Sequence, residues 1–510
     1  MKLINTLIIL ILLGQLITFS QIEQGGIPYG LKFNFKNIPI YEIQDFNISE
    51  INYLKEQKKL QKDKTLLFAY NNEVFINTKN NGRWYKIDGK YVWIINVQSV
   101  SAYELSIILE NYKLKSGESI FIYNSKDIIG SLNDNNNRKS GILTTRYISG
   151  GDAYIEFSTP YDTTNCGTFT ITTISQTFEN LKFLTIDECN VNISCPEGNS
   201  WKNEKRSVAK LTINKSSGTV LCSGTLLNNT LQDARPLLIT ANHCIENNYN
   251  AERTVFYFNY ESMYCDSDVA YPSYTLNGGT VLSTKYENDY TLIELDYHPP
   301  ISFKPYYSGW TTETGSNMNI VTAIHHPNGQ VKKISGSNSH PLSDTFAEEG
   351  DPPYAQNGYW RIPEYLYGIT DYGSSGCGLF DQNHLLVGTL TGGDSSDPDC
   401  KKDLNDFYEK FAVSYNVVPA YGQKMAEILN PDNQPINSLD GYEPFEDITT
   451  NCDTTTNIHK SDIINIVPYD YGNGYYCGHN SDSIALFVEK FDNNDSIHLY
   501  GLLLDVKKTG

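Results

Sequence analysis

Short runs in which apolar and polar residues alternate fill the chain from about residue 21 onward. In the first third of the chain they include Tyr91–Val97, Ser119–Tyr123 and Ala153–Phe157, and turn-forming clusters such as Asn133–Asn137 separate them. Short strands with turn signals between them are typical of a β-sandwich. We therefore predict a β-rich domain over residues 21–182. It serves either as a folding and inhibitory prosegment or as a binding module, and the prosegment is the preferred interpretation.

The strand pattern continues through a second region, residues 183–440, and resumes after a polar linker in residues 441–510. The second region is predicted to end in a short helix, Gln423–Leu429, which Asn430 and Pro431 terminate. Residues 441–510 make up roughly 70 positions, fewer than the ~100 of an independent sandwich. We expect them to form a short or incomplete C-terminal β-module.

The first 20 residues, MKLINTLIILILLGQLITFS, combine a positive charge at Lys2, an apolar run and a small or polar end. This pattern is typical of a secretory signal peptide, with a membrane anchor as the alternative. No later stretch reaches the ~20 apolar residues needed to span a bilayer. We expect the mature chain to be secreted, extracellular or associated with the cell surface, and to have no part in the membrane.

Charge and cysteine content narrow the possible functions. The chain carries 59 acidic and 39 basic side chains, a formal net charge of -20. Nucleic-acid binding favours a basic surface, so it is not expected. In an exported chain the ten cysteines indicate disulfides. Because none of them forms a Cys-x-x-Cys pair, we expect no metal site.

The segment Leu238–Cys244, Leu-Ile-Thr-Ala-Asn-His-Cys, predicts a strand that delivers His243 onto a turn of small residues. Cys222 precedes it on another predicted strand and could form a disulfide with Cys244. Such a crosslink would hold the turn in place and contribute about 3 kcal/mol. His243 is therefore the candidate general base of a hydrolase, with a structural histidine as the alternative.

Two further segments complete the parts of a serine hydrolase. Asp289 stands directly before the apolar run Tyr290–Leu295, where a buried carboxylate needs a partner such as an imidazole N–H. A strand-capping aspartate is the alternative. Ser375 lies in Gly-Ser-Ser-Gly, where the glycines allow a sharp turn that directs the amides of Gly373 and Ser375 to one side as an oxyanion hole. The order His243, Asp289, Ser375 is more specific than any one part.

These segments resemble the bacterial lysyl endopeptidases, a branch of the chymotrypsin-like serine proteases. The resemblance covers about residues 189–440 and also rests on Cys189–Gly198, Ser308–Trp310, Ile324–Gly329 and Lys332–Ser335. It implies an all-β fold in which a chymotrypsin-like double β-barrel, made of two six-stranded antiparallel barrels, carries the triad His243, Asp289 and Ser375 at its junction.

The resemblance also implies a set of crosslinks. It pairs Cys189 with Cys400, Cys195 with Cys265, and Cys222 with Cys244. Cys377 stands where the family has serine and is either free or paired with a cysteine of a flanking domain, such as Cys166. Cys452 and Cys477 could pair locally.

Substrate specificity is assigned through the same resemblance. Trypsin-type enzymes carry aspartate six residues before the nucleophile, and this chain has Ile369 there. The resemblance instead places Asp406 at the base of the primary pocket, where it would pair with a lysine ammonium group. A surface acid is the alternative, and Glu409 replaces a family glycine nearby.

Four further positions are expected to border the substrate or the base. Thr391, Gly392 and Gly393 are expected to pair with the substrate backbone by β-addition. Thr391 stands in place of a family histidine, and Trp310 is expected to stack on His243 and shield it.

His325 and His326 are adjacent, and neighbouring residues of a strand point to opposite faces. We therefore interpret them as structural residues rather than metal ligands. A lysine-specific enzyme could release its own N-terminal domain at Lys182.

The sequence thus predicts a secreted, monomeric serine endopeptidase without a cofactor. It would cleave proteins or peptides after lysine and bind its own prosegment. A related protease of another specificity and a catalytically silent β-rich adhesin or binding protein are the alternatives.

Overall fold

The computed structural model describes residues 23–60, 65–179, 189–272, 274–314, 318–347, 354–393 and 405–444. The chain divides into two units, Met1–Phe445 and Glu446–Gly510, and all described residues belong to the first. The predicted signal peptide and most of the predicted C-terminal module lie outside the described residues. The described part is mostly strand with a few short helices, which confirms the all-β prediction. It contains no helix that is both long and apolar enough to cross a membrane.

Two sheets around one apolar core make up the N-terminal domain. Trp93 on one sheet makes an edge-to-face contact with Phe169 on the other, with ring centroids 5.8 Å apart. The first sheet comprises β1 (Ile40–Glu42), β3 (Arg83–Ile87), β4 (Lys90–Gln98), β6 (Ser119–Tyr123), β7 (Ile128–Leu132) and β10 (Asp152–Thr159). The second comprises β2 (Leu66–Ile76), β5 (Glu104–Lys113), β8 (Leu143–Thr144), β9 (Ile148–Ser149) and β11 (Thr168–Thr177). The helices of this domain are α1 (Tyr29–Lys32) and α2 (Ile48–Leu60).

Alternation in the sequence explains how these strands pair. The runs Tyr91–Val97 and Ala153–Phe157 lie in β4 and β10, which pair antiparallel with Ile95 opposite Ile155. Both isoleucines are buried in the shared core. Because side chains alternate between the faces of a strand, this register directs one face of each strand into the core.

A closed sheet follows from residue 208. It consists of β13 (Val208–Lys215), β14 (Gly218–Leu227), β15 (Leu237–Thr240), β16 (Thr254–Phe258), β17 (Thr275–Asn277), β18 (Gly279–Lys285) and β19 (Tyr290–Leu295), with helix α3 (Asn248–Glu252) beside β18. The strands pair in the order β17–β16–β13–β14–β15–β19–β18. Only Gly278 separates β17 from β18, so the two ends of the sheet meet and form a first barrel around a core that includes Leu211, Phe256 and Ile293.

A second sheet follows the first barrel. It consists of β12 (Val191–Asn192), β20 (Trp310–Thr311), β21 (Val321–His325), β22 (Lys333–Ser337), β23 (Leu342–Asp344), β24 (Tyr359–Ile362), β25 (Gly378–Asp381), β26 (Leu386–Gly392), β27 (Asp406–Lys410) and β29 (Ser438–Leu439). Helices α4 (Phe411–Asn416) and α5 (Met425–Leu429) follow, the latter inside the predicted helix. Between α4 and α5, β28 (Tyr421–Gly422) returns to pair with β18 of the first barrel.

Strand β2 joins the N-terminal domain to the first barrel. It pairs with β11 inside its own domain and with β14 of the barrel, where Ala69 lies opposite Thr219 and Leu66 opposite Leu221. The side chain of Leu67 packs in the barrel core with residues that include Leu211. The N-terminal domain therefore extends the barrel sheet and anchors it with an apolar side chain.

Candidate active site

His243 lies on the turn that follows β15, and Asp289 holds it in two ways. The imidazole Nδ1 is 2.8 Å from Asp289 Oδ2 and 3.0 Å from Oδ1. The backbone amide of His243 donates a third bond, of 3.0 Å, to Oδ1. A disulfide between Cys222 and Cys244 ties the turn to β14. The ring and its backbone are thus fixed together by one carboxylate.

Asp289 is buried and adopts a left-handed backbone conformation with φ of 52°. Aspartate tolerates this region better than most residues because its short side chain can hydrogen-bond locally. The turn before it is held from the second sheet, because the amide of Ala355 and the hydroxyl of Tyr359 both donate to the carbonyl oxygen of Glu287, at 2.7 and 2.9 Å. Both sheets therefore contribute to the position of the carboxylate.

Ser375 lies between Gly373 and Gly376, whose φ angles are 87° and 78°. A Cβ at Gly376 would come within 2.6 Å of the carbonyl oxygen of Ser223, so only glycine lets the loop approach the first barrel this closely. The carbonyl oxygen of Ser375 accepts a 2.8 Å bond from the amide of Ser223 and lies 3.7 Å from the sulfur of Cys244. The serine is therefore brought against the residues that flank His243.

One expected contact is not made. His243 Nε2 is shielded from solvent and has no hydrogen-bond partner among the described residues. The Ser375 hydroxyl is consequently not bonded to the imidazole in this state.

The segment Asp371–Ser375, which ends at the candidate nucleophile, is called the oxyanion loop below. Hydrogen bonds to neighbouring residues hold every residue of this loop. Asn328 donates from Nδ2 to Asp371 and from its backbone amide to the carbonyl of Tyr372. Ser223 donates from Oγ to the carbonyl of Gly373 and from its backbone amide to the carbonyl of Ser375, and Ser374 Oγ contacts His325. The amides of Gly373 and Ser375 have no acceptor within the described part of the chain. A rigid loop thus carries two unpaired donors.

Asp406 begins β27 and is fully buried. Its Oδ2 accepts bonds from Tyr365 Oη at 2.8 Å and Thr370 Oγ1 at 2.5 Å. Burial and the nearby Asp406 raise the pKa of Tyr365 well above its usual value, so the phenol remains a donor. Gly393 borders the other carboxylate oxygen, because a Cβ at this position would collide with Oδ1. Asp406 is therefore a buried carboxylate whose Oδ1 lies against the backbone of Gly393.

Thr391 and Gly392 are the last residues of β26, and Gly393 follows them. Thr391 is buried, and its hydroxyl has no hydrogen-bond partner within the described residues. Gly392 lies opposite Phe407 of β27. The end of β26 thus leads to Asp406 through Gly393.

Trp310 does not lie on the imidazole, which corrects the expectation that it shields His243. Its ring packs against Phe411 and Tyr415, with centroids 5.6 and 5.0 Å away. Its Nε1 donates to the carbonyl oxygen of Asn228 at 2.9 Å. The physical reason is the short strand β20, whose pairing with β26 and β29 places the indole in the core under helix α4.

The cysteines follow the expected pattern where they are described. Cys195 is bonded to Cys265 and Cys222 to Cys244. Cys189 is also disulfide-bonded, and its expected partner Cys400 lies outside the described residues, as do Cys452 and Cys477. Cys166 and Cys377 are both free thiols, so they do not pair with each other. Burial, and to a lesser extent Asp406, raise the pKa of Cys377 well above its usual value.

Sequence patterns missed the residues that hold the oxyanion loop. Ser223 acts through its backbone amide and hydroxyl and Asn328 through its backbone and side-chain amides; such groups are ordinary in any strand or turn, and no spacing singles them out. His325 was interpreted only as structural, and its contact with Ser374 could have been suspected only from the position of Ser374 next to the candidate nucleophile. Glu409, fully buried in β27, also contacts Thr389 and Ser414.

Comparison with known proteins finds one family to which this region is similar. Residues 185–409 match the family described as lysyl endopeptidase, C-terminal domain. A lysyl endopeptidase from Pseudomonas aeruginosa is 29% identical over 232 residues, which cover 44% of this chain and 48% of that protein. The chain therefore matches about half the length of this curated relative.

Solved structures show weaker likenesses. A thermostable serine protease from an extremophilic microorganism is 15% identical, with a TM-score of 0.31 over 45% of this chain and 98% of that chain. The protease Anisep from Arthrobacter nicotinovorans is 12% identical, with a TM-score of 0.31 over 48% of this chain and 98% of that chain. TM-scores this low add nothing to the assignment. The segments that carry His243, Asp289 and Ser375 all lie within residues 185–409, the part of the chain that is similar to the lysyl endopeptidase family.

Proposed function

We propose that residues 183–440 form a serine endopeptidase in which His243 is the general base, Asp289 orients it and Ser375 is the nucleophile. The observation that carries this proposal is the contact of Asp289 with His243 Nδ1 at 2.8 Å. A carboxylate at Nδ1 keeps the proton on that nitrogen and leaves the lone pair on Nε2, where a base must accept the proton of the serine hydroxyl.

The reaction then uses groups that are already in place. Ser375 Oγ attacks the substrate carbonyl carbon and gives its proton to His243 Nε2, which later passes it to the leaving amine. The amides of Gly373 and Ser375 receive the developing oxyanion, and both are free of other acceptors in the described chain. Catalytic hydrogen bonds are often long without substrate and form when it binds. The bond between Ser375 and His243 is the one that remains to be made.

Cleavage on the carboxyl side of lysine is the specificity that the buried carboxylate favours. Asp406 is fully buried, and two hydroxyl donors occupy Oδ2. A charged carboxylate in such a place is costly unless it meets an opposite charge. The backbone of Gly393 lies close to Oδ1, where a Cβ would collide with that oxygen. A lysine ammonium group of the substrate would supply an opposite charge.

The N-terminal domain fits the role of a prosegment. Its strand β2 pairs with β14 up to Leu221, which directly precedes Cys222 and the active-site residues that Cys222 and Ser223 hold. Strand addition at this position would cover the edge of β14 beside the catalytic residues. Release at Lys182, outside the described residues, by the enzyme itself would remove this cover from a secreted, monomeric enzyme.

Active-site labelling tests the enzyme proposal. The full chain is expected to react covalently with a fluorophosphonate probe, and the Ser375→Ala and His243→Ala variants are not. The control is Ser216→Ala, which changes an exposed serine and should label like the wild type. Absence of labelling in the wild-type chain, before and after removal of the N-terminal domain, would leave a binding protein as the better interpretation.

Cleavage-site profiling tests the specificity. A peptide library should be cut after lysine, and Asp406→Asn should reduce this preference by at least about tenfold, the scale of one lost charge contact. Asp432→Asn, which neutralises an exposed acid, is the matched control. Cleavage without a lysine preference, or an unchanged preference in the Asp406→Asn variant, would refute the assignment while leaving the triad intact.

A further inference from the structure

His325 is a fully buried titratable residue that the proposed reaction does not use. It lies at the end of β21, and both of its ring nitrogens meet hydroxyl groups. Nδ1 is 2.7 Å from Ser374 Oγ, and Nε2 is 2.9 Å from Ser335 Oγ. Ser374 directly precedes the nucleophile, and Ser335 belongs to β22. The imidazole therefore connects the oxyanion loop to a strand of the second sheet.

The neighbours of the two hydroxyls determine the direction of the hydrogen bonds. Ser335 Oγ donates to the carbonyl oxygen of Ile369 at 2.9 Å, so its single proton is used and it can only accept from His325. Ser374 Oγ accepts from the amide of Asp371 at 3.1 Å, and the described residues offer its proton no acceptor other than His325 Nδ1. Only the tautomer with a proton on Nε2 and a lone pair on Nδ1 satisfies both contacts.

Charge would disrupt this arrangement. An imidazolium ion donates from both nitrogens, which would leave the Ser374 proton without an acceptor among the described residues. Burial and the nearby Lys333 lower the pKa of His325 to about 3, so the ring is neutral at pH 5 and above.

We infer that His325 is a positioning residue for the oxyanion loop: as a neutral acceptor it fixes the Ser374 hydroxyl and thereby the two peptide units whose N–H groups, on Gly373 and Ser375, would bind the oxyanion. This inference rests on the proposed function. Its consequence is that the oxyanion hole is already formed in the uncut chain, with the N-terminal domain in place. Removal of that domain would then open access to the site rather than order it.

Two substitutions at position 325 separate positioning from packing. His325→Asn keeps an acceptor near the position of Nδ1 but loses the ring, whereas His325→Phe keeps the ring volume but loses the acceptor. If His325 positions the loop, kcat and the rate of fluorophosphonate labelling should fall about 100-fold in His325→Phe and only about 10-fold in His325→Asn. KM should stay within about twofold of the wild-type value in both variants. A loop displacement of about 1 Å reduces catalytic rates by about 100-fold.

Thermal unfolding should show the opposite order, with His325→Phe at least as stable as His325→Asn, because the phenyl ring fills the buried space. His298→Asn, at an exposed histidine, is the control and should leave every quantity unchanged. Activity that follows stability, or a His325→Phe chain as active as the wild type, would overturn the inference.

A measurement without turnover keeps the test independent of the proposed function. In a full-length Ser375→Ala chain with ¹⁵N-labelled histidine, nuclear magnetic resonance should show His325 as the Nε2–H tautomer at pH 7 and still neutral at pH 5. An Nδ1–H tautomer or an imidazolium ion at pH 5 would refute the network. If the network is found but the wild-type chain is not labelled by the probe, the proposed function fails and the positioning role fails with it.

Discussion

The amide of Ser223 donates a 2.8 Å hydrogen bond to the carbonyl oxygen of Ser375. Ser223 lies on β14, the strand that also carries Cys222, which is bonded to Cys244 beside the base. The same strand pairs with β2 of the N-terminal domain at Thr219–Leu221. One strand of the first barrel is therefore bonded to the neighbour of the proposed base, to the proposed nucleophile and to the domain proposed to control access to them.

Removing the Ser223 hydroxyl should slow catalysis without weakening substrate binding. Its Oγ donates to the carbonyl of Gly373 and accepts from the amide of His326, both buried. We expect Ser223→Ala to lower kcat about 10-fold with little change in KM, and to lower the free energy of unfolding by about 1–2 kcal/mol, because two buried groups lose their partner. Steady-state kinetics and urea unfolding measure the two effects. An unchanged kcat would show that the Ser223 hydroxyl is not needed to position the loop.

Neutralising Asp289 should damage the base rather than the fold. Asparagine tolerates the left-handed backbone at φ of 52° and can still accept from the His243 amide. Its NH2 group would then face Nδ1 and favour the tautomer with the proton on Nε2, which cannot act as a base. We expect kcat to fall by about 10³–10⁴ in Asp289→Asn, the scale known for such triads. Asp266→Asn, an exposed site, serves as the control. A loss below tenfold would contradict the assigned role.

Glu409 should make stability fall as the pH rises. Burial, and less strongly Asp289, raise the pKa of this carboxyl to about 8 in the folded chain. In the unfolded chain the Glu409 carboxyl has the ordinary pKa of about 4.3. Between about pH 4 and 8 the folded state therefore holds a proton that the unfolded state has lost. The free energy of unfolding consequently decreases as the pH rises through this range. Glu409→Gln, uncharged throughout, should flatten this slope and stabilise the chain at pH 7 by up to about 4 kcal/mol. Urea unfolding at several pH values provides the measurement, and a parallel pH dependence in both chains would contradict it.

Leu67 should govern how firmly the N-terminal domain is bound. Its side chain is buried in the core of the first barrel, whereas Phe75 at the other end of β2 is 68% exposed. Burying a carboxylate at position 67 is costly, so Leu67→Asp should free the domain. In a Ser375→Ala chain nicked by an added protease between the domains, gel filtration should separate the two parts for Leu67→Asp but not for Phe75→Asp. Continued association of both variants would show that β2 is not the anchor.

Local sequence patterns determined much of this protein. Alternating residues predicted strands such as Ser119–Tyr123, and the small-residue turn before Cys244 located His243, because strands and turns depend on nearby residues. The order of three motifs identified the residues that the structure brings into one region. The contact of Asp289 with His243 was expected from the need of a buried carboxylate for a partner.

Only the tertiary structure decided which buried groups meet. Alternation shows that a face is buried but not what covers it. The sequence therefore predicts that Trp310 stacks on His243, whereas its ring packs against Phe411 and Tyr415, about a hundred positions later in the chain. The bond between His325 and Ser374 and the pairing of β2 with β14 likewise join segments distant in sequence. Such contacts depend on how whole sheets pack, and packing is a property of the folded chain rather than of any one segment.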